Sequence, residues 1–109
     1  MLPLLRIGDI GDGVCRAGHS DVPKGSPKPM KTTILTASPS VFADYKNAAS
    51  IGAVGSTDCG HTTEAVTGSS TVFINYKNAH CLGKAGVVSD DGGGEYTAIT
   101  GSSTVFIGS

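Results

Sequence analysis

The stretch SSTVFINYKNAHCLG, Ser69 to Gly83, has a near copy upstream as SPSVFADYKNAASIG, Ser38 to Gly52, and a truncated third copy, SSTVFIGS, from Ser102 to Ser109. A chain of 109 residues that repeats one segment three times must build its fold by placing like units side by side. Ser38, Ser69 and Ser102 open the copies at spacings of 31 and 33 residues. A second marker, Arg6-Ile7-Gly8-Asp9, Ser50-Ile51-Gly52-Ala53 and Cys81-Leu82-Gly83-Lys84, keeps the same register and gives approximate repeats 1–52, 53–83 and 84–109. The first repeat is longer by about a dozen residues, assigned to Asp21–Lys31. With three prolines and three lysines, DVPKGSPKPMK is expected to be an exposed loop rather than a central strand, either a tolerated insertion or a lateral contact with a neighbour.

In each copy SVFAD or TVFIN reads as a strand of β-branched and aromatic residues, and YKN as a short connection into a second strand, so each copy predicts a hairpin. All three phenylalanines, Phe42, Phe73 and Phe106, fall at the same place in the repeat. Alternation puts Phe73 on the face opposite Val72 and Ile74, which leaves both faces apolar. The phenylalanines then either meet a partner or converge in an aromatic core. Val, Ile and Ala diluted by 16 Gly, with no Trp, favour strands and tight turns over helices, and the class is all-β.

The length fits one small domain, and a net charge of −1 argues against nucleic acid as the partner. No apolar run reaches the roughly 20 residues of a membrane-spanning helix. MLPLLRIGD is too short and too quickly charged for a signal peptide, so the chain is expected to be made in the cytosol and soluble. A domain this small, with small side chains to bury, is expected to need a staple.

The cysteines, Cys15, Cys59 and Cys81, are three in number, which does not favour a disulfide framework. VCRAGH brings Cys15 with His19, and DCGH brings Cys59 with His61, each after the repeated glycine. Cys15 lies six residues after Asp9 and Cys59 six after Ala53, so the two cysteines are equivalent positions. Together the pairs make a Cys2His2 set suited to one structural Zn2+ per chain, and thiolate with imidazole argues against calcium or magnesium. The fourth position is least fixed: Asp90, at the equivalent place in the third repeat, or His80 competes with Cys15 for it. No G-x-S-x-G, H-E-x-x-H or P-loop lysine pattern is present, and a non-enzymatic protein is expected. DDGGGEY, Asp90 to Tyr96, reads as a flexible loop rather than a phosphate or cation site.

GSSTVFINYKNAHCLGK (Gly68–Lys84) and ASPSVFADYKNAASIGA (Ala37–Ala53) resemble the PAAR-repeat proteins across a whole repeat. The C-terminal GSSTVFIGS matches the first half of that repeat, and RIGD (Arg6–Asp9) its end. The name-giving Pro-Ala-Ala-Arg reads Asn47-Ala48-Ala49-Ser50 and Asn78-Ala79-His80-Cys81, and Tyr45 or Tyr76 stands where the family has a turn glycine. The resemblance implies a small conical, pseudo-threefold β-fold of three hairpin repeats. Such a cone caps the blunt end of a trimeric β-helical spike in contractile phage tails and type VI secretion machines, and holds zinc near its apex through histidine and cysteine. His19, Cys59 and His61 match the ligand-bearing loops of that family. The expectation is therefore a structural spike tip in a phage baseplate, one per spike trimer, with Phe42, Phe73 and Phe106 toward the partner. It would meet the target cell envelope only on piercing. The alternatives are a tip or effector carrier secreted by a type VI system and a stand-alone metal-binding protein.

Overall fold

The structure, a computed structural model, describes residues 1–108; Ser109, the last residue of the third copy, lies outside them. The described residues form twelve strands and no helix. They are β1 (Leu2–Pro3), β2 (Ile10–Cys15), β3 (Lys28–Ile34), β4 (Phe42–Ala43), β5 (Lys46–Asn47), β6 (Val54–Thr57), β7 (Thr62–Ala65), β8 (Phe73–Ile74), β9 (Lys77–Asn78), β10 (Ala85–Val88), β11 (Gly94–Ala98) and β12 (Phe106–Ile107). Three antiparallel hairpins, β2–β3, β6–β7 and β10–β11, join edge to edge through β3–β6, β7–β10 and β11–β2 into a closed six-stranded barrel. Closure gives every barrel strand a partner on both sides, though not along its whole length. Two-stranded ribbons β4–β5, β8–β9 and β1–β12 make up the rest.

The two markers of the sequence each acquire a physical role. Gly8, Gly52 and Gly83 sit at φ of 90°, 95° and 84°, third in turns closed by Asp9, Ala53 and Lys84 N–H donating to the carbonyls of Arg6, Ser50 and Cys81. A turn with positive φ at that place demands glycine. Ser38, Ser69 and Ser102 are buried, and each Oγ accepts N–H bonds from the residues two and three further on. Each serine also meets the residue that follows the Phe-bearing strand of a neighbouring ribbon: Asn75 Nδ2 donates to Ser38 Oγ at 2.6 Å, Ser69 Oγ donates to the Gly108 carbonyl, and Ser102 Oγ to Asp44. These contacts run from one copy to the next and close on themselves.

A second ring lies where ribbons become barrel. Leu5 N–H donates to the His80 carbonyl, His80 N–H to Ala49, and Ala49 N–H to Leu5, all at 2.9–3.0 Å, and all three residues are fully buried. Below it an apolar cluster of Leu4, Ala43, Ala48, Ile74, Ala79, Cys81 and Ile107 joins the ribbons. Above it Leu5, Ile34, Ala49, Ala53, Ala65 and Ala98 fill the mouth of the barrel, and Cys15, Met30, Val88 and Tyr96 fill the far half.

Inside the barrel each hairpin pairs a glycine with a larger residue: Gly11 with Thr32, Gly55 with Thr63, Gly86 with Tyr96. The Tyr96 ring needs two of these glycines, because a Cβ at Gly86 or Gly11 would stand 2.0 or 2.3 Å from it. Thr32 and Thr63 share a 2.7 Å hydroxyl bond. Each barrel hairpin leaves the waist, turns and returns, so its loop, 16–27, 58–61 or 89–93, lies at the end opposite the ribbons. The molecule measures 39 × 23 × 21 Å.

Two sequence expectations change. Lys28–Lys31 belong to β3, so the loop starts and ends earlier than Asp21–Lys31. β6 pairs with β3 only over Thr32–Ile34, so the strand at Pro29 lacks a ladder partner on that side, a place where proline is tolerated. The ribbon turns are Asp44-Tyr45 and Asn75-Tyr76, and the Lys-Asn that follows is already strand. All four turn residues have positive φ (54°, 66°, 52°, 70°), as a two-residue type I′ hairpin requires. Asp and Asn accept that conformation readily, whereas tyrosine does so at a cost.

Candidate metal centre

The three barrel loops converge at the end away from the ribbons. In the first, Gly18 at φ 93° lets the chain fold back so that His19 N–H donates to the Val22 carbonyl at 2.8 Å. Gly25 N–H returns to the Arg16 carbonyl, and Lys28–Asp21 at 2.7 Å fastens the loop to the start of β3. Arg16–Glu95 at 2.7 Å and Lys24–Asp91 tie it to the third hairpin. In the second, Thr57 Oγ1 accepts the His61 N–H at 2.8 Å across Gly60. In the third, Gly92, Gly93 and Gly94 all have positive φ, and Gly92 packs so closely on the Arg16 carbonyl that a Cβ would stand 2.3 Å from it. The glycines of DDGGGEY thus serve a tight, packed turn.

Cys15, His19 and His61 each offer one ligand atom, and these atoms all lie within 4.8 Å of one another, close enough to hold a metal ion. Cys15 is buried at the end of β2. The His19 and His61 rings meet edge to face at 5.0 Å. The fit of this group to a metal rests on His19: both of its ring nitrogens are buried and neither has a hydrogen-bond partner. A buried polar nitrogen without a partner costs about 1–3 kcal/mol, and a metal beside Cys15 and His61 would satisfy one of the two.

Cys59 lies next to this triad. Its sulfur is not among the ligand atoms that lie within 4.8 Å of one another; it packs on the cluster that contains Cys15, and its thiol bonds Thr57 Oγ1 at 3.2 Å. Burial pushes the Cys15 thiol up, the Ala17 N–H opposes that, and Cys59 adds to it. Protons therefore hold this thiol until a metal displaces them.

The alternatives for the fourth position are both otherwise engaged. His80 lies inside the barrel, with Nδ1 on the Thr67 carbonyl at 2.8 Å and Nε2 on the Tyr96 hydroxyl at 3.0 Å, and takes no part in the group. Burial lowers its pKa, so it is held neutral. Asp90 places Oδ2 2.6 Å from His61 Nδ1 and Oδ1 2.9 Å from Thr62 Oγ1. That carboxylate raises the His61 pKa, and the Gly18 carbonyl, 3.1 Å from Nε2, adds to the rise. With both ring nitrogens facing acceptors, a metal would take the place of a proton.

At the opposite end Phe42, Phe73 and Phe106 are 57%, 57% and 45% exposed, and Tyr45 and Tyr76 are fully exposed at the turns. Their strand neighbours Val41, Val72 and Val105 pack on the inner cluster instead. The phenylalanines form no aromatic core, which removes that alternative. The sequence contained no signal for the Tyr96–His80 bond; the equal offsets of Cys15, Cys59 and Asp90 did mark Asp90 as apical.

No protein-family model matches the chain, and no curated protein matches it.

Proposed function

We propose that the chain is a non-catalytic, zinc-stabilised tip that caps the blunt end of a trimeric β-helical spike, in the baseplate of a contractile phage tail. The observation that carries this reading is the set of three solvent-facing phenylalanines on like ribbons at one end, with a Cys/His group at the other. An isolated protein has no need to repeat an exposed aromatic three times. A homotrimer that ends in three identical edges meets one chain fully only if that chain offers nearly the same surface three times. The closed contacts among Ser38, Ser69 and Ser102 and among Leu5, Ala49 and His80 support a pseudo-threefold arrangement of the ribbons. A metal-binding protein acting alone would use the Cys/His group but would leave the ribbon end without a purpose.

Zinc is the metal that suits this donor set. Cys15, His19 and His61 offer one sulfur and two nitrogens, and Cys59, outside that group but packed beside Cys15, would supply the second sulfur of a closed tetrahedron by a small movement of its loop. Each of Cys15/His19 and Cys59/His61 comes from a different loop, so the ion would tie together segments with little apolar material of their own. A rigid narrow end would concentrate the force of sheath contraction on a small area of envelope. A type VI spike would use the same two ends in the same way.

Native mass spectrometry of the protein mixed with a trimeric β-helical spike is the test. One chain per trimer, carrying one zinc, is expected. Three chains per trimer, or a complex abolished by Cys59→Ser but not by Phe73→Asp, would contradict the reading.

A further inference from the structure

The third repeat places no ligand in the Cys/His group, yet its apical residue occupies the position held by Cys15 and Cys59 in the other two. The geometry points to Asp90 as a positioning residue for the metal centre, one that fixes His61 without binding the ion; this rests on the metal reading given above. Three distances carry it. Asp90 Oδ2 holds His61 Nδ1 at 2.6 Å, Asp90 Oδ1 is itself held by Thr62 Oγ1 at 2.9 Å, and the Thr62 N–H reaches the same oxygen at 3.4 Å. Both carboxylate oxygens are thereby committed, one to orienting the ring and the other to being oriented. An ionised carboxylate can only accept, so Nδ1 carries the hydrogen, and Nε2, 3.1 Å from the Gly18 carbonyl, is the nitrogen that a metal would take in place of that contact. A ligating histidine whose other nitrogen is fixed in this way loses less freedom on binding and is a stronger base, and removal of such a partner characteristically costs 10–100-fold in metal affinity.

The arrangement also gives the third loop a reason to be tight. Asp90 sits at the start of a turn in which the Gly93 N–H returns to the Asp90 carbonyl and Gly92 packs on Arg16. The turn therefore presents the carboxylate to a histidine from the second loop while it rests against the first. Metal binding would then depend on all three repeats, two through ligands and one through a hydrogen bond.

The experiment titrates Zn2+ in competition with a chromophoric chelator and records the visible absorption of the Co2+ form, in wild type and in Asp90→Ala, Asp90→Asn, Thr62→Val and Asp91→Ala. Asp90→Ala is expected to weaken binding about 10–100-fold with an unchanged Co2+ spectrum, because the donor set is unchanged. Asp90→Asn, whose amide oxygen still accepts from Nδ1–H, should fall between Ala and wild type, and Thr62→Val should lose a few-fold. Asp91→Ala, which breaks only the exposed contact with Lys24, should match wild type and controls for damage to the loop. Unchanged affinity in Asp90→Ala overturns the proposal. A Co2+ spectrum altered in Asp90→Ala also overturns it, in favour of Asp90 as a ligand. A wild type that binds neither ion overturns the metal reading instead.

Discussion

The two ends of the molecule treat the same repeat in opposite ways. At the ribbon end the copies stay alike: the same serine, the same phenylalanine, and the same lysine-asparagine strand in two of them. At the loop end they diverge, with 12 residues between β2 and β3 but four between β6 and β7, and with Cys15, Cys59 and Asp90 at one equivalent position. Likeness suits a surface that faces three equal edges. Divergence suits a single ion, which needs several ligands around one point and has no use for three copies of one of them. Between the ends, the Leu5–His80–Ala49 ring lets the repeats differ in side chain while their backbones bond alike.

The largest effect that would break this contrast is loss of the loop-end staple. Cys15→Ser, Cys59→Ser or His61→Ala should each cost several kcal/mol and lower Tm by more than about 10 °C in the metal-loaded protein, by thermal unfolding with metal analysis. His80→Ala should also destabilise but should keep its zinc, since its partners are Thr67 and Tyr96. A zinc-free His80→Ala variant would move the metal to the middle of the barrel.

A smaller loss is expected in the barrel itself. Tyr96→Phe leaves His80 Nε2 buried without its partner and should cost about 1–3 kcal/mol at full metal occupancy. Gly86→Ala drives a methyl into the Tyr96 ring and should cost about the same. A neutral variant at both positions would mean that the interior layer is looser than its glycines imply.

His80 also gives a pH dependence separate from the metal. Its folded pKa is lowered by burial, so below the unfolded value near 6.5 the unfolded chain takes up the proton first. Stability is fully present above that pH and falls as pH drops below it, by at most about 1.4 kcal/mol per pH unit from this group. Denaturant midpoints measured from pH 7.5 to 5 would show it as a steeper fall on the acid side in wild type than in His80→Gln, the part due to His61 and the metal being common to both; identical profiles would contradict it.

The smallest effect sharpens the contrast from the ribbon end. Tyr76→Gly relieves a tyrosine at φ 70° and should stabilise the free protein by about 1 kcal/mol while weakening its hold on a spike. A gain in stability with no loss in binding would show that the exposed ring has no partner.

Much of this architecture was readable because repetition is a pattern in sequence. The repeated segments marked the β4–β5 and β8–β9 hairpins and the Cys/His pairs are adjacent in the chain, but the third copy's strand pairs with the N-terminal β1 instead of forming its own hairpin, and the closed barrel between the copies was not legible. What could not be read depends on contacts made across the barrel. Nothing local says that Tyr96 reaches His80, or that Asp90 is spent on His61 rather than offered to a metal. The prolines misled at Lys28–Lys31 because a strand paired on one side tolerates what a central one does not. The Asp-Tyr and Asn-Tyr turns were obscured because tyrosine stands where that conformation favours glycine.

Hydrogen–deuterium exchange of the metal-loaded protein, alone and bound to a trimeric β-helical spike, tests the division of labour most directly. The account predicts new protection in three separate segments, around Phe42–Asn47, Phe73–Asn78 and Val105–Ile107, with the loops 58–61 and 89–93 unchanged. Protection confined to one ribbon, or appearing at the Cys59–His61 loop, would contradict it.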